Sequence, residues 1–97
     1  MTQVVASGSL SSPRGLVIDS SGRMIVADQA NNAIRSVVSG VVSTIAGGSL
    51  GSVNGLGTVA SFNAPYDVAV SSSGVIFVAD NNNYQIRSID TSGQRAH

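Results

Sequence analysis

The 97-residue chain is long enough for one small domain and has no cysteine, which excludes disulfides and zinc sites built on thiolates. Its five basic residues, all arginines, balance five aspartates, so no net field attracts nucleic acid or an anionic membrane. No apolar run approaches the roughly 18 residues of a membrane span and the start lacks a signal-peptide pattern, so the sequence predicts a soluble chain of undetermined localisation.

The predicted elements are all strands. Glycine, serine, asparagine and valine dominate, and strong helix formers other than alanine are scarce, which predicts an all-β fold. The first predicted strand is 3–7. A first unit follows at 13–47, with strands at 16–19, 24–27, 33–38 and 41–46. A glycine-rich connector at 48–64, a second unit at 65–90 with strands at 68–70, 75–79 and 85–89, and a tail at 91–97 complete the chain.

The two units are copies of one repeat. A shift of 52 positions aligns PRGLVIDSSGRMIVADQANNAIRSV (13–37) with PYDVAVSSSGVIFVADNNNYQIRSI (65–89) without a gap. The identical pairs include Pro13/Pro65, Gly22/Gly74, Val26/Val78, Asp28/Asp80, Asn31/Asn83, Ile34/Ile86 and Arg35/Arg87. A repeat of this length indicates a supersecondary unit that buries its faces against copies of itself.

Each unit is predicted to form a small sheet. The second strands, MIVA and VIFVA, are apolar at every position, which is typical of strands covered on both faces. Ser-Ser-Gly at 20–22 and 72–74 predicts the hairpin turns before them. The fourth strand of the first unit, VVSTIA, has no counterpart after the second unit, but a similar strand occurs at 3–7. The sequence therefore predicts two four-stranded sheets, the outer strand of the last being carried at the start of the chain.

Both units resemble NHL repeats, the blades of a β-propeller. The family pattern of a proline, an apolar strand, a small-residue turn, a strand ending V-A-D and then N-x-x-I-R is present as P-RGLVID-SSG-RMIVAD-QAN-NAIR and P-YDVAV-SSSG-VIFVAD-NNN-YQIR. The connector resembles the glycine-rich link between such blades. Asn31-Asn32-Ala33 and Asn83-Tyr84-Gln85 replace the name-giving Asn-His-Leu, and Asp67 replaces the glycine found as Gly15, so no ligand site is transferred from the family.

The resemblance implies a ring of six blades, which two blades alone cannot close. An unfinished second blade and a spare strand at 3–7 predict that this strand completes the blade of another copy. Such an exchange covers an open backbone edge, and head-to-tail contacts of this kind can close into a symmetric ring. The prediction is a homotrimer with N-terminal strand exchange, in which the first partner of the chain is another copy of itself.

Six repeated polar residues are candidate site residues: Asp28, Asn31, Arg35, Asp80, Asn83 and Arg87. The four charged members, Asp28, Arg35, Asp80 and Arg87, could form a ring of ligands around a central channel. The interpretation we favour is structural: the aspartate and asparagine close the turn after the second strand, and the arginine spans the turn or the neighbouring blade. The turn alone does not explain Asn32, Asn82 and Tyr84, which are predicted to form a polar binding surface for a sugar or peptide.

The sequence contains no catalytic constellation. The single histidine, His97, is terminal, no G-x-S-x-G elbow is present, and Asp19, Asp67 and Asp90 fall at strand ends in different units. Five arginines and four aromatic residues disfavour RNA binding. The stretch GLGTVA (55–60) satisfies G-x-G-x-x-A, but Pro65 follows too soon for the helix that a dinucleotide site needs. It is interpreted as a link between blades, with Phe62 packed between the sheets.

The predicted function is a non-catalytic, self-assembling β-propeller module that serves as a scaffold or binding surface for protein, peptide or glycan, without a cofactor or metal. Two alternatives stay open. The first is a propeller enzyme of the metal-dependent lyase or hydrolase type with a site in the central channel. The second is an engineered or isolated propeller fragment with no function beyond assembly.

Overall fold

The computed structural model describes residues 10–90 and 94–97, and these residues form two antiparallel sheets without an α-helix. The predicted strand at 3–7 lies outside the described residues. The all-β prediction is therefore confirmed for the part of the chain that is described. Within that part, no helix has the length and apolar character that crossing a bilayer requires.

The first sheet has four strands in sequential order: β1 (Pro13–Ile18), β2 (Met24–Asp28), β3 (Ala33–Val38) and β4 (Val41–Gly47). The β1–β2 turn is closed by a 3.0 Å hydrogen bond from the Gly22 N–H, at a φ of +86°, to the Asp19 carbonyl. A single 3-10 turn, Gln29–Asn31, joins β2 to β3 and ends at Asn32 in the left-handed conformation. These short turns make neighbours in sequence neighbours in the sheet.

The second sheet repeats this arrangement and extends it. Its five strands, from the inner edge outward, are β6 (Pro65–Val70), β7 (Ile76–Asp80), β8 (Gln85–Asp90), β9 (Arg95–Ala96) and β5 (Gly55–Leu56). The inner strands β1 and β6 begin three residues before the predicted starts, because Pro13 and Pro65 pair with Asp28 and Asp80 across a bulge.

The outer edge of the second sheet differs from the prediction of a missing strand and a tail at 91–97. Arg95–Ala96 pair with Asp90 and Ile89, and Ala96 is fully buried. The reversal passes through Gln94, in the left-handed region at φ 53°, whose carbonyl accepts the Gly57 N–H at 3.1 Å. No sequence signal marks this strand, because Arg-Ala-His has neither β-branched residues nor an apolar alternation.

The core lies between the two sheets. We call face A of the first sheet the side that carries Val17, Ile25, Ala27 and Ile34, and face B of the second sheet the side that carries Val68, Val70, Ile76, Val78 and Ile89. These two faces pack together, with Ile45, Ala60, Phe62 and Ala96 completing the core. Side chains alternate along each strand, so the remaining side chains lie on the opposite faces, which we call face B of the first sheet and face A of the second sheet.

Close contacts lock the two sheets in position. A Cβ added to Gly15 would lie 2.6 Å from the Asp67 Cα, so β1 and β6 approach to a distance that only glycine allows. Gly47, at φ +88°, ends β4 where a Cβ would meet the Asn32 carbonyl oxygen at 2.5 Å and the Phe62 ring at 2.8 Å. Phe62 is fully buried, as predicted, so the connector is part of the packed structure.

Candidate functional site

Asp28 and Asp80 occupy the same place in the two sheets, at the end of the second strand, and both are fully buried. Oδ1 of each carboxylate accepts a backbone N–H at 2.8 Å, from Ser11 in the first unit and from Asn63 in the second. These donors precede the inner strand of the same sheet by two residues. Each aspartate therefore ties the end of β2 or β7 to the segment that leads into its own blade.

The repeated asparagines bind the same carboxylates. Asn31 donates to Asp28 Oδ2 at 2.8 Å, and Asn83 donates to Asp80 Oδ2 at 2.7 Å. Asn83 Nδ2 also donates to the Gly51 carbonyl at 2.8 Å, which joins this turn to the connector. All of these contacts are internal to the fold.

Arg87 is the most heavily bonded side chain of the described residues. It is 3% exposed, and its five N–H donors have five acceptors within 3.2 Å. These acceptors are the His97, Ser61 and Val53 carbonyls, Asn54 Oδ1 and Asp80 Oδ2. The guanidinium also lies 4.6 Å from the centre of the Phe62 ring. Since every donor is used internally, this group is unsuited to binding an external anion.

Arg35 is the copy of Arg87 in the first sheet. Its Nη1 is 3.9 Å from Asp28 Oδ2, compared with 2.8 Å for the Arg87–Asp80 pair, and its side chain is 22% exposed. The acceptors of Arg87 come mainly from the connector that precedes the second sheet. Asp28, Asp80, Asn83 and Arg87 thus form structural hubs, whose hydrogen bonds tie each blade to the segment before it.

Asn32, Asn82 and Tyr84, the predicted binding surface, are placed differently from one another. Asn32 Oδ1 accepts the Ala64 N–H at 2.9 Å and so joins the first sheet to the start of the second. Asn82 is exposed, although its N–H donates to the Asn63 carbonyl at 3.0 Å. Tyr84 is 95% exposed in the left-handed conformation, at the position that Asn32 occupies in the first unit. Tyr84 and Asn82 are the members of this set that face solvent.

A second aromatic feature, a contact between Arg14 and Tyr66, was not predicted from the sequence. The Arg14 guanidinium lies 5.5 Å from the centre of the Tyr66 ring, and both residues are exposed. Arg14 and Tyr66 are equivalent under the 52-residue shift, each following the repeated proline. Because equivalent positions of adjacent blades are neighbours in space, the repeat itself could have predicted this pair.

The two sheet faces that do not contact each other are also apolar. Face B of the first sheet carries the exposed side chains Leu16 and Ile18 beside a groove of about 320 Å³ lined by Leu10, Met24, Val26 and Val37. Face A of the second sheet carries Phe77 and Ile86, 42% and 75% exposed, beside a groove of about 210 Å³. Large exposed apolar side chains grouped in this way mark interaction sites.

The acidic residues near the inner strands do not converge. Burial alone would raise the pKa of Asp19, but hydrogen bonds from Ser21 and Arg23 lower it to about 2. Asp67 Oδ1 accepts the N–H of Val68 at 2.9 Å. In the described ranges, histidines and acidic residues form no group of three that could hold a metal ion.

The G-x-G-x-x-A stretch has a structural role. Gly55–Leu56 form β5 against β9, and Gly57–Val59 form one 3-10 turn before Phe62. A helix of at least eight residues, whose N-terminal N–H groups could hold a phosphate, does not follow.

Comparisons with known proteins agree with this architecture. The sequence profile of the NHL repeat matches residues 62–87. NHL repeat-containing protein 2 of Gallus gallus is 36% identical over 81 residues, which are 80% of this chain and 11% of that protein. The match includes the hub residues Asp80, Asn83 and Arg87 in the part covered by the profile.

Solved structures share the same fold. An auxiliary nutrient binding protein from Bacteroides ovatus superposes with a TM-score of 0.72 at 23% identity, over 81% of this chain and 22% of that one. An auxiliary nutrient binding protein from Bacteroides thetaiotaomicron gives 0.69 at 26% identity, with the same shares. The chain thus spans about a ninth of the curated relative and about a fifth of these two structures.

Proposed function

Because the chain belongs to the NHL-repeat family, we propose that it is a non-catalytic binding module whose two blades assemble with other copies into a closed β-propeller. Rings of four, six or eight blades would need two, three or four such chains. Six blades, the number that the family resemblance implies, correspond to a homotrimer.

One observation carries this proposal: the two open faces are repeat copies of the two faces that form the core. The shift of 52 residues relates Leu16, Ile18, Met24, Val26 and Val37 on face B of the first sheet, of which Leu16 and Ile18 are exposed, to the core residues Val68, Val70, Ile76, Val78 and Ile89. It relates Ala69, Phe77, Ala79 and Ile86 on open face A to Val17, Ile25, Ala27 and Ile34. Face A of one copy therefore has the side-chain pattern that packs on face B of another.

This contact is heterologous, because the two surfaces that meet are different, and heterologous contacts close into rings when the rotation allows it. The alternative, an isologous pairing of face A with face A, would bring Phe77 and Ile86 of both copies together. The core of the chain has no example of such a pairing, since its own interface is A on B.

The assembly is tested with two variants that each block one face. Ile86→Asp alters face A and Leu16→Asp alters face B, and both side chains are more than half exposed, so neither change disturbs the core. Each variant alone should be monomeric by analytical ultracentrifugation. Their mixture should form a heterodimer, since each supplies the face that the other lacks. Dimers of either variant alone would indicate isologous pairing and contradict the proposal.

We place ligand binding on the loops that carry Tyr84 and Asn82. An exposed aromatic ring and primary amides provide stacking and hydrogen bonding, the interactions that suit a sugar or an extended peptide. The nutrient binding proteins among the structural relatives are consistent with a binding role. A glycan array probed with the assembled wild type and with Tyr84→Ala tests it. Specific binding that Tyr84→Ala weakens at least tenfold is expected; equal binding by both proteins would contradict it.

A further inference from the structure

The guanidinium of Arg14 is held in place by its neighbours, but most of its hydrogen-bond donors are unused. Its Nε–H donates to Gln29 Oε1 at 2.9 Å, and the group lies 5.5 Å from the centre of the Tyr66 ring. The other N–H groups of Arg14, on Nη1 and Nη2, have no acceptor among residues 10–90 and 94–97. Arg87 differs, because all of its N–H groups have acceptors inside the fold. Arg14 therefore keeps two adjacent donor groups available to a ligand.

The residues that hold this guanidinium lie on firmly placed parts of both blades. Arg14 is the second residue of β1, and Tyr66 is the second residue of β6. Gln29 begins the 3-10 turn after β2, and its own N–H donates to the Ser12 carbonyl at 3.2 Å. An arginine that is already oriented loses less side-chain entropy when it binds a ligand. Since both blades belong to one chain, this group of residues is complete without a second copy.

The charges near Arg14 favour a ligand with a single negative group. Asp67, which follows Tyr66, is exposed, and its side chain lies against Gly15, the residue after Arg14. Its Oδ1 accepts the Val68 N–H at 2.9 Å, and in the part of the chain that is described it forms no ion pair with Arg14. One carboxylate on a ligand would be attracted by Arg14, whereas further negative groups would be repelled by Asp67. Polyanions such as nucleic acids and strongly acidic peptides are therefore disfavoured.

The polar groups around the guanidinium suit a sugar that carries a carboxylate. A guanidinium with two free Nη groups can form two parallel hydrogen bonds with a carboxylate. The amide N–H groups of Gln29 and the second carboxylate oxygen of Asp67 can bind sugar hydroxyls. Tyr66 is 49% exposed and offers both an apolar ring and a hydroxyl group. A hexuronate combines one carboxylate, several hydroxyls and an apolar C–H face, so it matches all of these groups.

We propose that Arg14, Tyr66 and Gln29 form a recognition site for a hexuronate residue of an acidic glycan. The inference rests on the proposed binding function and names a ligand class for it. Tyr84 ends the 3-10 turn after β7, as Asn32 ends the turn that Gln29 begins after β2. Both turns lie at the end of the sheets where β1 and β6 begin, so the uronate site is at the same end of the molecule as Tyr84.

The test compares a disaccharide that contains one glucuronate unit with its methyl ester, which keeps the sugar and loses the charge. Isothermal titration calorimetry on the full wild-type chain should show at least tenfold tighter binding of the acid. Arg14→Ala should remove this preference, and Arg14→Lys, which keeps the charge but not the planar fork, should retain only part of it. Arg23→Ala is the matched control, because it removes the same charge at the β1–β2 hairpin, where Arg23 lies 3.0 Å from Asp19. This control should keep the full preference for the acid.

Several outcomes would overturn the inference. Equal binding of the acid and the ester by the wild type would do so, as would an equal loss of preference in Arg14→Ala and Arg23→Ala. A poly-aspartate peptide that binds more tightly than the acidic disaccharide would show that the site recognises acidic protein segments instead.

The Tyr84 variant separates this inference from the proposed binding function. If glycan binding depends on Tyr84 but Arg14→Ala keeps the preference for the acid, the uronate site fails and the proposed function stands. If neither Arg14→Ala nor Tyr84→Ala weakens the binding of any glycan, the proposed glycan-binding function fails as well.

Discussion

Replacing Arg87 tests whether the repeated arginine is a structural hub. Arg87→Ala removes a buried guanidinium and leaves Asp80 Oδ2 and the Ser61 carbonyl, both in buried residues, without their 2.8 and 2.9 Å donors. Breaking a buried ion pair in this way costs about 3–5 kcal/mol. The total stability of a domain of this size is about 5–15 kcal/mol, so the variant should be close to unfolding.

Arg14→Ala is the control. The Arg14 side chain is exposed, where its Nε donates to Gln29 Oε1 at 2.9 Å and its guanidinium lies over the Tyr66 ring, so the loss should be about 1 kcal/mol or less. Arg87→Lys keeps the charge but offers three donors in place of five and cannot stack flat on Phe62, so an intermediate loss is expected. This variant also keeps the prediction testable if Arg87→Ala does not fold.

The assay is urea unfolding followed by circular dichroism, in the Leu16→Asp background so that assembly does not add to the measured free energy of unfolding. The free-energy losses at Arg87 and Arg14 should differ by at least about 2 kcal/mol. Equal losses, or a loss below about 1 kcal/mol for Arg87→Ala, would refute the reasoning that the five internal hydrogen bonds make this residue structural.

Three further predictions concern the connector and the first hairpin. Gly47→Ala should destabilise the chain by about 1–3 kcal/mol more than Gly48→Ala in urea unfolding. Both glycines have positive φ, but of the two only Gly47 lies where a Cβ would meet other atoms within 4 Å. Equal losses would contradict the steric argument. Phe62→Ala should cost about 3–5 kcal/mol and Phe62→Leu less than about 1.5, since the ring is fully buried, and a small loss for both would place it outside the core. The Asp19 pKa of about 2 lies below the usual value near 3.9, so the stability from its hydrogen bonds is present above about pH 4 and is lost as the pH falls through about 2. Thermal unfolding of Asp19→Asn should lack this part of the acid dependence. Identical pH profiles for the wild type and the variant would contradict the prediction.

Much of this fold follows from the repeat. The gap-free match of 13–37 with 65–89 predicted six of the long strands and the hairpin turns, because identical residues at identical spacing give the same local structure. The strand Arg95–Ala96 was not predicted, since two residues of low β propensity form a strand here only because β8 offers an unpaired edge and Ala96 fits the core.

The residues of the candidate site were predictable from the repeat, but the contacts between Arg87 and the connector were not. Asp28/Asp80 and Asn31/Asn83 make equivalent bonds in both units, as a repeat implies. The acceptors of Arg87 were not predictable, because the Ser61 and Val53 carbonyls belong to the connector, a segment distant in sequence that precedes the second unit. The spacing of residues within a repeat does not reveal tertiary contacts of this kind.

The assembled mass is the most direct test of self-assembly through the two open faces. Light scattering of the purified wild type should give three times the 9.8 kDa of one chain, and Ile86→Asp should return the mass to that of one chain. A wild-type mass of one chain at every concentration measured would contradict the account, because the apolar faces would then persist without a second copy to cover them.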